Sequence, residues 1–333
     1  MCDEVCKDVP ACPGGALGGR SHRRDPEKHV GLAVLFPGQG VQTPGMGSAW
    51  RDDPAWSIVD RAEAALGAPL APLLLDESAE VLNRTRSAQL GVFLASLLAW
   101  EAAKERLGEP TAFAGHSLGQ LTALVAAGIV SLEDGVRLVD ARGRSTQQAA
   151  SARPGRMVAL LGGSPDQVAL ACEAAEGECW LANDNAPGQL VVGGTPAGVS
   201  STAQCALDNG VRRSVALNVE AAFHTPLMQG ACDGFSRALD ALPMRVSSAP
   251  VVSNDDAEAY SDGDSWPARL VRHLVSPVRW RQSIQTLVDL GVKKFVELGP
   301  GSSVAGMARR TVPSASVVTF GTPAHMSVLS EVV

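Results

Sequence analysis

Gly115-His-Ser117-Leu-Gly119 is the stretch of this chain best suited to covalent chemistry. It separates a short apolar run from a long one at residues 121–129, so it lies where a strand hands over to a helix. Glycines on both sides of a serine let the backbone turn sharply and push the hydroxyl outward, the geometry of a nucleophile elbow. A helix starting at that serine turns its unpaired N–H groups and positive end toward the place where an oxyanion would form. An ordinary Gly/Ser turn before a buried helix shows the same short signature, so the rest of the chain has to decide.

A serine nucleophile needs a base, and the base needs an orienting partner. Six histidines are present. His22 and His29 fall in a polar N-terminal stretch and His325 in a polar C-terminal loop. His116 adjoins the serine, but neighbours across a sharp turn point apart. His224 and His273 remain. His224 follows directly on the last strand of a small unit described below, which could hold it over the elbow. Taken alone, such a histidine is more often a satisfied structural residue than a base.

The elements that must position these groups are legible as apolar runs. Gly31-Leu-Ala-Val-Leu-Phe36 reads as a buried parallel strand ending in a tight loop at residues 37–42, where backbone could approach a ligand closely. Helices are expected over residues 56–66 and 89–107, then the strand that ends in the elbow. Residues 250–253, 294–297 and 316–320 are further buried-strand candidates. Between them the pattern changes. Strands at 157–161, 179–182, 189–192 and 213–217, with helices at 164–176 and 196–209, follow the order β-α-β-β-α-β. That is the ferredoxin-like plan, complete in under 70 residues. The expected organisation is therefore a tail at 1–29, an α/β core at 30–150 and 219–333, and an insert at 151–218.

Composition bounds the function. With 333 residues, 45% of them hydrophobic and 19% charged, the chain can bury a large core. A net charge of −7 argues against nonspecific nucleic-acid binding, and no apolar run is long enough for a membrane span. Residues 1–29 have the composition of a disordered tail, without the apolar segment of a secretory signal. The seven cysteines are oddly numbered and irregularly spaced, which fits neither a disulfide framework nor a metal site at Cys2, Cys6 and Cys12. A reduced, cytoplasmic setting is expected.

A plain α/β-hydrolase fits poorly, because it delivers Ser, acid and His in that chain order, after several strands. Here the elbow follows only the second expected strand, and His224 precedes every plausible acid strand. A different set of motifs fits better. Phe36-Pro-Gly-Gln-Gly40, Gly115-His-Ser-Leu-Gly119, Ala141-Arg-Gly143, Asn185-Ala-Pro-Gly-Gln189, Ala222-Phe-His224, Ser276-Pro-Val-Arg-Trp280 and Glu297-Leu-Gly-Pro-Gly301 appear in order between residues 31 and 320. Together they resemble malonyl-CoA:acyl carrier protein transacylases and the acyltransferase domains of fatty-acid and polyketide synthases.

The resemblance implies an α/β-hydrolase-like core with a parallel sheet and an inserted ferredoxin-like subdomain, in agreement with the order of elements. It implies Ser117 as the acylated nucleophile and His224 as its base and then acid. It places the oxyanion hole at the N–H groups of Gln39 and Leu118, and sets Arg142 against the free carboxylate of malonyl. Asn185 and Phe223 join the substrate pocket, Phe223 crowding an α-methyl branch. No acid completes a triad; a backbone carbonyl at the position of His273 orients the base. The expected substrates are malonyl-CoA and the phosphopantetheine arm of an acyl carrier protein, with no metal or organic cofactor and a monomeric enzyme. One departure stands out: relatives carry Gln-Pro after the threonine of Thr85-Arg86-Ser87-Ala88, so Arg86 adds a charge near the expected acyl pocket. An editing hydrolase would use the same Ser–His pair but lack the carboxylate-binding arginine. A silent carrier-docking protein would lack the serine or the histidine.

Overall fold

The structure, a computed structural model, describes residues 30–219, 221–240 and 242–333. The expected tail at 1–29, with Cys2, Cys6 and Cys12, lies outside the described residues. The chain opens with strand β1 (Gly31–Phe36) and passes through helices α1 (Ser57–Leu66), α2 (Ala71–Leu75), α3 (Ala79–Leu82) and α4 (Thr85–Leu107) to β2 (Ala112–Gly115). Helices α5 (Gly119–Ala126) and α6 (Leu132–Ala152) lead into a second unit. That unit runs β3 (Arg156–Leu161), α7 (Pro165–Ala174), β4 (Cys179–Ala186), β5 (Gln189–Gly194), α8 (Pro196–Asp208) and β6 (Arg213–Ala216). The first unit then resumes with α9 (Gln229–Leu239), β7 (Val251–Val252), β8 (Ala259–Tyr260) and α10 (Trp266–Arg272). It closes with α11 (Trp280–Asp289), β9 (Val292–Leu298), α12 (Ser303–Thr311) and β10 (Ser316–Phe320).

Six strands form one sheet in the order β10-β9-β1-β2-β7-β8. All its pairings are parallel except β7 with β8. Parallel sheets are covered on both faces, which is why β1 and β2 are apolar and buried throughout. One face packs against α4, α5, α6 and α9, the other against α11 and α12. Strands β1, β2 and β9 are neighbours, and each ends at the same edge in a glycine-containing turn. In α/β sheets ligands bind at that carboxyl edge.

The second unit has its own antiparallel sheet, ordered β4-β5-β3-β6, with α7 and α8 packed over Leu160, Val168, Val192 and Val199. This is the β-α-β-β-α-β plan expected from the sequence. Ser164 caps α7 with a full capping box, its hydroxyl accepting from Gln167 N–H while the Gln167 side chain accepts from Ser164 N–H.

Strand β4 is four residues longer than its apolar pattern suggests, paired along the added residues with β5 and bridged to the larger unit. Val278 donates its N–H to the Ala182 carbonyl and accepts from Asp184 N–H, both at 2.9 Å. Asn183, Asp184 and Asn185 are poor strand formers, so pairing, with β5 on one side and Val278 on the other, and not propensity, extends the strand. Helix α4 likewise starts at Thr85, one turn ahead of its apolar stretch. Among the described residues no helix is long and apolar enough to cross a membrane.

Candidate active site

Gly115 and Gly119 explain why the elbow needs both its glycines. A Cβ on Gly115 would sit 1.9 Å from the Gly119 carbonyl oxygen, and one on Gly119 would sit 2.3 Å from that of Phe36. Between them Ser117 is held at φ +53°, a left-handed conformation that is costly for a residue with a side chain. Two amide side chains stabilise it. Asn254, just past β7, accepts the Ser117 N–H through Oδ1 at 2.7 Å. Gln120, in the first turn of α5, accepts the backbone N–H of Asn254.

His224 also sits at positive φ, +60°, and is buried. Thr225 fixes the loop that carries it: its hydroxyl donates to the Ala222 carbonyl at 2.6 Å and accepts from Leu227 N–H at 3.3 Å. His224 Nδ1 lies 2.8 Å from the His273 carbonyl oxygen. A carbonyl can only accept, so Nδ1 carries the ring proton and Nε2 presents a lone pair. Nε2 is 2.7 Å from Ser117 Oγ. The serine hydroxyl therefore donates to an imidazole whose tautomer is set by backbone.

The electrostatics of this pair are unusual. Burial, and then the nearby Arg142 charge, push the His224 imidazole down to about 3. His273 is held well below the ordinary range, first by burial and then by its neighbour His224, whose ring centroid is 4.5 Å away. Both rings are neutral at pH 7.

Arg142 projects from α6 and is buried. Burial lowers it to about 10, so it remains a cation. Its Nη2 donates to Ser117 Oγ at 3.2 Å and its Nη1 to Gln89 Oε1 at 2.8 Å. Among the described residues no carboxylate pairs with it. A buried guanidinium without a counter-ion is costly, and such groups persist where a ligand supplies the missing charge.

The other expected site residues fall as follows. The N–H groups of Gln39 and Leu118 find no acceptor among the described residues, at the turns after β1 and β2. They are available to an oxyanion. Asn185 Oδ1 accepts from His116 Nε2 at 2.8 Å, and the His116 ring packs edge-on to Trp280, so His116 is engaged away from the Ser117 hydroxyl. Half-buried Phe223 packs against the core beside His224. Arg86 is not a free charge at the pocket: its Nε donates to Asp140, whose other oxygen accepts from Arg144 at 2.8 Å. The α4–α6 packing makes that pairing possible, since a Cβ on Gly143 would be 2.9 Å from the Arg86 Cα.

Gln89, Gln120 and Asn254 escaped the sequence reading. For the two glutamines the signal was an amide inside an apolar helical run, fully buried in each case. For Asn254 it was a polar residue at the carboxyl edge of a buried strand.

Comparison with known proteins follows the same lines. Residues 34–324 match the family described as acyl transferase domain. A malonyl CoA-acyl carrier protein transacylase of Bacillus subtilis is 36% identical over 284 residues, covering 84% of this chain and 90% of that protein. The crystal structure of an acyl carrier protein S-malonyltransferase from Vibrio cholerae superposes with a TM-score of 0.85 at 33% identity, covering 90% of this chain and 99% of the other. A malonyl-transacylase in complex with its holo type II polyketide synthase acyl-carrier protein superposes with a TM-score of 0.86 at 30% identity, covering 90% and 99%.

Proposed function

The chain belongs to the acyl transferase domain family and is an acyltransferase, and from that premise we propose that it moves malonyl from coenzyme A to the phosphopantetheine thiol of an acyl carrier protein. The observation that carries this reading is Arg142. It is a buried cation with no carboxylate partner, donating to the oxygen of the proposed nucleophile. An acyl group ending in a carboxylate would satisfy it. Acetyl would leave it unpaired, at a cost of roughly 1–3 kcal/mol or more. A planar guanidinium also matches a carboxylate in fork geometry. The names of the relatives at 33–36% identity agree.

The mechanism is ping-pong. Ser117 Oγ attacks the thioester carbonyl while His224 Nε2 takes its proton. Negative charge develops on the carbonyl oxygen, within reach of the Gln39 and Leu118 N–H groups. The C–S bond breaks, His224 returns the proton to sulfur, and coenzyme A leaves as a thiol. The carrier's thiol then attacks the seryl ester with the roles reversed, regenerating Ser117. The His273 carbonyl steadies the imidazolium in both halves, which is why no acid is needed. So written, the reaction uses neither metal nor organic cofactor.

Intact-protein mass after separate incubation with malonyl-, acetyl- and methylmalonyl-CoA tests the reading. Malonyl should load on the wild-type protein and not on Ser117→Ala. A malonyl adduct on the alanine variant would reassign the nucleophile, and acetyl loading as readily as malonyl would remove the role given to Arg142.

A further inference from the structure

Gln89 lies between two parts of the site that the reaction uses separately. It sits on α4, fully buried, 53 residues from Arg142 and 50 from Gln39. Its Oε1 accepts from Arg142 Nη1 at 2.8 Å. Its Nε2 faces Thr146 Oγ1 at 3.3 Å and Gln39 Oε1 at 3.4 Å. Thr146 donates its own hydroxyl proton to the Arg142 carbonyl at 2.8 Å, so its oxygen is left to accept from Gln89. The amide orientation is thereby determined: oxygen to the arginine, nitrogen to the threonine and the oxyanion loop.

That orientation has a consequence for charge. The side-chain acceptor nearest the buried guanidinium is a neutral amide, closer than Ser117 Oγ at 3.2 Å. An amide holds one arm of Arg142 in place and leaves its charge uncompensated. A glutamate of the same shape would hold the same arm and neutralise it. We infer that Gln89 is a specificity-determining positioning residue: it pins Arg142 Nη1 while keeping the cation available to the carboxylate of an incoming malonyl group. This rests on the reading of Arg142 as the carboxylate partner.

Two nearly isosteric variants separate pinning from charge. Gln89→Glu gives Arg142 an internal carboxylate that competes with the substrate's, so the malonyl-to-acetyl ratio of kcat/KM should fall about 100-fold. Gln89→Met removes the acceptor but adds no charge. Its KM for malonyl-CoA should rise roughly tenfold, the scale of one lost charge-assisted hydrogen bond, while the ratio stays far above that of the glutamate variant. If Gln89→Glu keeps the wild-type ratio, or if Gln89→Met loses it to the same degree, the inference is overturned. Should the glutamate variant fail to fold, the methionine variant still decides the pinning role, since equal KM changes for malonyl- and acetyl-CoA would refute it. Arg142→Ala measured alongside keeps the two readings apart. If that variant loses malonyl selectively and Gln89→Glu does not, only the role of Gln89 falls. If Arg142→Ala is itself unselective, the carboxylate reading falls first.

Discussion

Two arginines mark the difference between the wall of the candidate site and the seam that joins the two units. Arg142, on α6, is buried and has no acid partner among the described residues. Arg281, on α11, reaches across to the insert and grips Asp184 of β4 with Nε and Nη2, at 2.7–3.0 Å. The seam is satisfied: its charges are paired and its backbone is bridged through Val278. The wall holds an unpaired cation and two residues, Ser117 and His224, in left-handed conformations. Left-handed backbone also occurs at Ala257 beside α11, so what sets the wall apart is its uncompensated charge, which the seam neutralises internally.

The most drastic way to test the contrast is at the elbow. Ser117→Ala should reduce acyl transfer at least about a thousandfold while leaving the thermal midpoint within a few degrees of wild type, because its hydroxyl supports chemistry rather than packing. A large drop in midpoint would show that the elbow strain is held by that hydroxyl.

The arginines themselves come next. Arg142→Ala should lower kcat/KM for malonyl-CoA by about 30-fold to several thousandfold and spare acetyl-CoA, with Arg142→Lys rescuing only in part. Arg281→Ala should do the reverse: both substrates change together, and stability falls by roughly 1–3 kcal/mol as Asp184 loses its partner. Steady-state kinetics with both thioesters and chemical denaturation would read the two outcomes. If Arg281→Ala alters the malonyl-to-acetyl ratio, the seam belongs to the site.

A smaller effect concerns pH. An ordinary histidine base, titrating near 6.5, would lose about tenfold in the rate of serine acylation by pH 5.5. With His224 held at about 3, the rate should instead stay within roughly twofold between pH 7.5 and 5.5. The same shift carries a stability cost of defined sign. The unfolded state takes up a proton near 6.5 that the folded state refuses until about 3, so stability is full above 6.5 and is lost as the pH falls. Between pH 6.5 and 5 wild type should lose roughly 2 kcal/mol more than His224→Gln, which has no such proton to gain.

The smallest effect is expected at Arg86. Its side chain is about a third exposed and already meets Asp140. Arg86→Ala should cost under about 1 kcal/mol of stability and leave acyl selectivity unchanged. A selective loss of malonyl transfer in this variant would move the carboxylate site from α6 to α4.

By itself the sequence determined the local elements: the apolar runs of β1 and β10, the helix α7 beginning at Ser164, the β-α-β-β-α-β order of the insert, and the Gly115–Gly119 turn that presents Ser117. These depend on periodicity and on residues a few positions apart, which are contained within a short window of chain. It also narrowed the base to His224 or His273, and the family resemblance chose between them. What it left open was the state of each charge and amide. Arg86 and Arg142 stand on neighbouring, packed helices, yet the part-exposed one is neutralised and the buried one is not. Gly143 decides the first by letting α4 and α6 approach, which brings Asp140 to Arg86 across 54 residues of chain. The second is decided by what does not arrive: the side chain that reaches Arg142 across 53 residues is a glutamine rather than a glutamate. Asn183, Asp184 and Asn185, poor strand formers, lie in strand because β5 pairs along them on one side and Val278 bridges Ala182 and Asp184 on the other. Partners so distant in sequence meet only after the helices and sheets have packed, so their pairing is a property of the tertiary structure alone.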